Sequence, residues 1–163
     1  MTRRSRAREV ALQLLFWRDL NPTASREAVE RFGRERLRDP DLTAFGLGLY
    51  DGVVNQVGDI DRRLTEAAEN WRLPRMAAVD RNVLRLGAYE LLFGAEVPPA
   101  AALNEAIELA RRYGSADSPA FVNGVLDRIN KLRAEETTPP SPESQPPATE
   151  TENPSPAVPN PQP

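Results

Sequence analysis

Apolar residues recur at helical spacing through most of this chain. Ala7, Val10, Ala11, Leu14 and Leu15 follow the i, i+3, i+4 rule and predict an amphipathic first helix ending near Asn21-Pro22. Ser25 can cap a second, strongly charged helix through about Arg38, stopped by Asp39-Pro40. Residues 42–58 and 59–70 predict two further helices or one broken one, with Asp59 a candidate N-cap and Leu73-Pro74 forcing a break after Trp71. A fifth helix is predicted over about 75–93. Val79, Val83, Leu86 and Leu91 are flanked there by Leu84, Ala88 and Leu92, so nearly the whole circumference is apolar and the helix should be central. Pro98-Pro99 opens a sixth helix through Tyr113, with Leu103, Ala106, Ile107 and Ala110 inward. Ser118-Pro119 reads as an N-cap and first position of a seventh, carried by Phe121, Val122, Val125, Leu126, Ile129 and Leu132. No stretch has a period of two. The pattern predicts an all-α fold, a compact bundle of six or seven helices on one core.

From Ala134 the pattern stops. Residues 134–163 hold ten of the chain's 16 prolines, five glutamates and no basic residue, a composition that predicts a disordered, Pro-rich tail. The chain therefore divides into a helical domain, 1–133, and a tail, 134–163. Formal net charge is -3 overall, but the tail conceals a body of +2, with 21 Lys and Arg against 19 Asp and Glu. Within the body the basic excess lies at the front: residues 1–38 carry ten arginines against five acids, which marks a phosphate-facing region.

With no cysteine and no histidine, disulfides, thiolate nucleophiles, Cys/His zinc sites and imidazole bases are excluded. No Gly-rich phosphate loop or metal-ligand spacing appears, so no cofactor and no catalysis are expected. Asp80, Glu90 and Glu105 are the carboxylates embedded in apolar helices, and Asp80, Arg81 and Arg85 are spaced for ion pairs. Trp17 and Trp71 are expected to be packing or interface anchors. The absence of a long apolar run or signal core predicts a soluble, cytoplasmic protein.

The run Arg3-Arg4-Ser5-Arg6-Ala7-Arg8 sets four guanidinium groups within two turns, against the helix macrodipole and outside the apolar stripe. Such a cluster suits a polyanion, because each Arg can fork a phosphate or stack on an unpaired base. Asp117-Ser118 offers a helix start with free N–H donors. Gly124 inside a helix suggests close packing against a neighbour, and Asn123 beside it suggests an inward amide in need of a partner.

Phe121-Val122-Asn123-Gly124-Val125-Leu126-Asp127 resembles the C-terminal signature of the NusB family of bacterial transcription antitermination factors. Arg6–Phe16 is similar to that family's arginine-rich opening helix, Val79–Leu86 with Tyr89-Glu90-Leu91 to its central helix, and Leu103–Ala110 to its penultimate one, in order and with the family's spacing over residues 3–132. The resemblance implies two small helical subdomains and a complex with NusE, the ribosomal small-subunit protein. Together the pair would bind the boxA element of nascent ribosomal RNA and promote processive transcription by RNA polymerase. By position it implies RNA contacts at Arg3, Arg4, Arg6, Arg8, Gln13, Asp117 and Phe121, and NusE contacts at Phe16 and Asp80. Phe16 stands where many relatives carry Tyr. The alternatives left open are a helical accessory module of the kind fused to rRNA cytosine methyltransferases, and an interaction scaffold without RNA binding.

Overall fold

A computed structural model of the chain describes residues 2–139. Among them are seven α-helices: α1 (Arg3–Leu20), α2 (Arg26–Leu37), α3 (Pro40–Asn55), α4 (Val57–Ala67), α5 (Ala78–Phe93), α6 (Pro99–Tyr113) and α7 (Ser118–Thr137). A single 3-10 turn, Leu73–Arg75, separates α4 from α5, and no strand occurs among the described residues.

The helix ends follow from local chemistry. Thr2 caps α1, its hydroxyl accepting the Ser5 N–H at 3.0 Å, and Ser25 caps α2 by accepting from the Ala28 N–H at 3.2 Å. Arg38 then turns the chain with a left-handed φ of 55°. The Asp39 carboxylate accepts from the Asp41 and Leu42 N–H groups at 2.9 and 3.0 Å, and Pro40 takes the first helical position. The dipeptide expected only to stop one helix therefore also starts the next, and α3 begins before residue 42. Asp59 lies in the first turn of α4 and is not its cap. Met76 is extended, so α5 starts at Ala78 and not at 75.

α1 packs against α2 and α3, α5 packs against α6 and α7, and α4 lies on α5 and α7. Because α5 also touches α1 and α3, the two groups share one contiguous core, with α5 at its centre as its apolar circumference requires. Val83, Leu84, Leu86, Ala88 and Leu91 are all sealed from solvent, each large side chain contributing about 1.5–3 kcal/mol of burial. A Cβ at Gly87 would stand 2.5 Å from Leu126 Cδ1 and 3.2 Å from Ala106 Cβ, so the approach of α5 to α6 and α7 depends on that glycine.

Two expectations for α7 are corrected. Gly124 is exposed and a Cβ there would meet nothing within 4 Å, so it does not serve close packing, and Asn123 is exposed beside it. Their register places both on the face opposite Val122, Val125 and Leu126. The helix also continues to Thr137, past the expected boundary at 133. Arg133 Nη1 donates to the Leu91 carbonyl at 2.8 Å, and Arg63 pairs with Glu136 at 3.2 Å, which fastens the extra turn to α5 and α4. The disorder expected from residue 134 is thereby overturned for 134–137, and the rest of that expectation, from 140 onward, lies outside the described residues.

Candidate nucleic-acid and partner interface

The N-terminal arginines do not form a uniform cluster. Arg3 is well exposed and pairs with Asp39. Arg4 is exposed and lies over the Phe45 ring, 4.8 Å from its centroid, with no ion pair among the described residues. Arg6 donates to Glu9 at 2.8 Å while keeping about 40% of its side chain exposed.

Arg8 departs from expectation. It lies within the apolar stripe, only 4% exposed, and donates through Nε and Nη2 to both oxygens of Glu90, each at 2.8 Å. Glu105 stands 3.8 Å away, and the Phe45 ring covers the guanidinium. Burial alone would lower the Arg8 pKa, but the hydrogen bonds and charge of Glu90, helped by Glu105, hold it above the ordinary guanidinium value. A cation bound in this way cannot also fork a phosphate. Arg8 instead fixes α1 against α5 and α6.

Glu9 ties α1 to the end of α6. It is 3% exposed and accepts from Arg6, from Arg112, and from the Tyr113 hydroxyl at 2.7 Å. Burial would raise its pKa, yet these three donors keep it below the usual carboxylate range. Tyr113 is followed by Gly114 and the loop that presents Asp117, so the arginine-bearing helix and that loop are mechanically joined.

Asp117 occupies the N-cap position of α7, but its carboxylate makes no cap bond and it is exposed. Ser118 is not the cap. It is the first helical residue, 1% exposed, and its Oγ accepts from the Ser115 N–H at 2.9 Å, bracing the loop from inside. One turn on, Phe121 is half-buried, and Trp71 meets it edge-on at 5.6 Å between centroids and 65° between planes. Asp117, Phe121, Trp71, Arg75 and Asp80 line one groove of about 450 Å³.

Asp80 forms no pair with Arg81 or Arg85. Those arginines are drawn away, Arg81 to Asp19 at 3.1 Å and Arg85 to Asp61 at 2.9 Å, because Asp19 and Asp61 face the buried side of α5. Asp80 Oδ1 is left buried with no hydrogen-bond partner among the described residues. Gln13 Oε1 is in the same position. Gln13 lines a smaller groove of about 250 Å³ with Phe16, Val79 and Tyr113, and Phe16 is 39% exposed. Buried acceptors without donors are costly, which sets these two oxygens apart from the satisfied polar groups around them.

The predicted residues thus fall into three connected places: Arg3, Arg4 and Arg6 at the start of α1, Gln13 and Phe16 further along it, and Asp80, Asp117 and Phe121 in the larger groove. Sequence reasoning passed over Arg75 and read Trp71 as a packing or interface anchor; at 59% exposed Trp71 is not a packing anchor. Its position in a short linker beside Leu73-Pro74, outside any apolar period, was the available signal. Trp17 does pack against the core. No group of acidic residues able to hold a metal, and no helix long and apolar enough to cross a membrane, occurs among the described residues.

The NusB family model matches residues 5–131. The transcription antitermination protein NusB of Sorangium cellulosum is 50% identical over 129 residues, covering 79% of this chain and 92% of that protein. Its counterpart in Desulfatibacillum aliphaticivorans is 44% identical over 130 residues, covering 80% and 91%. Among solved structures, T. maritima NusB superposes with a TM-score of 0.72 at 36% identity, over 82% of this chain and 94% of that one. A chain from the complex of antitermination factors NusB and NusE with double-stranded RNA superposes with a TM-score of 0.73 at 28% identity, over 81% and 98%. On this agreement of sequence and fold, the chain belongs to the NusB family.

Proposed function

We propose that this protein is a cytoplasmic, non-catalytic transcription antitermination factor that binds the boxA element of nascent ribosomal RNA together with NusE and so promotes processive transcription. The observation that carries this reading is the groove in which Asp80, on the partner-facing side, meets Asp117 and Phe121, on the RNA-facing side. A site walled jointly by two proteins spreads one RNA element over both and gains affinity from effective concentration.

Within that arrangement Arg3, Arg4 and Arg6 hold phosphates, Asp117 accepts from a base amine, and Phe121 offers a face for stacking. Phe16 and Val79 supply apolar contact to NusE, and Asp80 Oδ1 accepts one of its N–H groups. Gln13 sits at the seam, where its orphaned oxygen can be met by either ligand. Arg8 acts as a positioning residue through Glu90.

The test is titration of a single-stranded boxA RNA, and of the same sequence as a duplex, with the protein alone and with NusE present. Tighter binding of the single strand with NusE is expected. Replacing Arg3, Arg4 and Arg6 by Ala should weaken binding and reduce the slope of log K against log salt by roughly 0.7 per lost phosphate contact. An unchanged slope removes RNA from α1.

A further inference from the structure

Trp71 is a large exposed aromatic side chain that the core does not use. It stands 59% exposed in the linker between α4 and α5, yet it is held in place by its edge contact with Phe121. The Trp71 backbone N–H donates to the Ala68 carbonyl at 2.6 Å, which anchors the chain beneath the ring. The ring divides two grooves. On one side lies the groove of Asp117 and Asp80, and on the other a shallower one floored by Gly124 and bordered by Asn70 and Arg128.

Two further observations point to what crosses this ridge. Arg72, next in the chain, and Arg75, in the same groove as the indole, are exposed and enter no ion pair among the described residues, whereas nearby Arg81 and Arg85 are neutralised by Asp19 and Asp61. The apolar ring is thus accompanied by two guanidinium groups free of ion pairs, on a surface that also carries Asp80 and Asp117 in the first groove and, in the second, Glu69 paired with Arg128. An exposed aromatic face beside free guanidinium groups suits a phosphodiester strand with exposed bases. Gly124, one turn beyond Phe121, keeps the floor of the second groove free of a side chain although packing does not require it.

We infer that Trp71 is a second base-stacking platform, which with Phe121 receives two unpaired bases of one RNA strand while Arg75 holds the phosphate between them. The inference rests on the RNA-binding reading above. The 65° angle between the rings gives it a specific content. Successive bases in a duplex lie nearly parallel, so a duplex cannot stack on both rings at once, and only a strand free to splay its bases can do so. The Trp71–Phe121 ridge therefore selects single-stranded RNA by angle, without reading sequence.

The experiment compares wild type, Trp71→Ala, Trp71→Phe, Arg75→Gln and Phe121→Ala in titrations with single-stranded boxA RNA, with its duplex, and with NusE in the absence of RNA. Indole emission and thermal melting are recorded for each. Trp71→Ala is expected to weaken single-strand binding roughly five- to a hundredfold, with duplex binding and melting temperature nearly unchanged. Trp71→Phe should recover most of that loss. RNA should quench the wild-type emission, and the quench should vanish in Trp71→Phe although Trp17 remains. Arg75→Gln should reduce the salt slope by roughly 0.7.

If Phe121→Ala loses affinity and Trp71→Ala does not, the RNA reading stands and this inference falls. If Trp71→Ala weakens NusE binding instead and leaves RNA affinity intact, Trp71 is a protein anchor and the inference is overturned. If wild type binds no RNA with or without NusE, both readings fall together.

Discussion

Glu90→Gln would remove one charge from a pair that the fold has taken almost wholly out of water. Arg8 and Glu90 are 4% and 2% exposed and share two hydrogen bonds of 2.8 Å. Glutamine is nearly the same size, so no cavity opens. Its oxygen can keep one bond, but its NH2 then faces the second guanidinium N–H, donor against donor. Breaking a buried pair on one side costs about 3–5 kcal/mol, because the remaining charge stays desolvated. Glu105 at 3.8 Å from Arg8 offers partial compensation, which places the expected loss near the lower bound, about 3 kcal/mol. For a domain of this size that lowers the melting temperature by roughly 6–12 °C. Thermal and urea denaturation at fixed pH and salt measure it. The double variant Arg8→Met/Glu90→Leu should recover most of the loss, since apolar residues of similar volume often replace a buried pair without cost. It should also retain RNA affinity, because Arg8 positions α1 and touches no phosphate. A Glu90→Gln protein within about 1 kcal/mol of wild type, or a double variant that folds well but loses RNA binding, would refute this reasoning.

Phe121→Ala should lower RNA affinity by about 1–3 kcal/mol and stability by less than the roughly 3–5 kcal/mol of a fully buried ring; combined denaturation and RNA titration that found a large stability loss with unchanged affinity would make it a core residue. Because the folded-state pKa of Glu9 is depressed by Arg6, Tyr113 and Arg112, its contribution is present above the ordinary glutamate range, near pH 4.3, and is lost as pH falls through the lower folded value. Melting curves from pH 7 down to pH 3 should accordingly fall less steeply for Glu9→Gln than for wild type, though from a lower start. Gly124→Ala should raise stability by up to about 1 kcal/mol, since the site is open, and a loss seen by denaturation would mean that the glycine is needed by the fold after all.

What the sequence made legible was whatever depends on local period and local caps. The stripe of α1, the Ser25 cap, the limits of α6 and the central place of α5 follow from residues within one or two turns of each other. The errors share a different cause. Arg8 was placed outside the stripe although it lies three and four positions before Ala11 and Leu12, which share its face. An arginine there is tolerable only if a carboxylate arrives from elsewhere in the chain, and Glu90, already conspicuous in an apolar helix, is 82 residues away. Gly124 and Asn123 were turned inward for want of the exact phase of α7. The spacing of Asp80, Arg81 and Arg85 suggests ion pairs among them, and spacing cannot reveal that Asp19 and Asp61 compete for the same arginines. For the site, the residues of α1 and α7 were visible in sequence, but their junction through Glu9, Arg112 and Tyr113 and the ridge of Trp71 on Phe121 exist only once the helices pack.

The 20 residues of α7 make it a spacer as well as a packing element. At 1.5 Å per residue the helix carries the chain about 30 Å from the Asp117 loop before releasing it at Thr138. A tag or fluorophore joined directly after Thr138 therefore starts a rigid helix length away from the Asp117 loop, so a label attached there can report on binding at that loop without touching it.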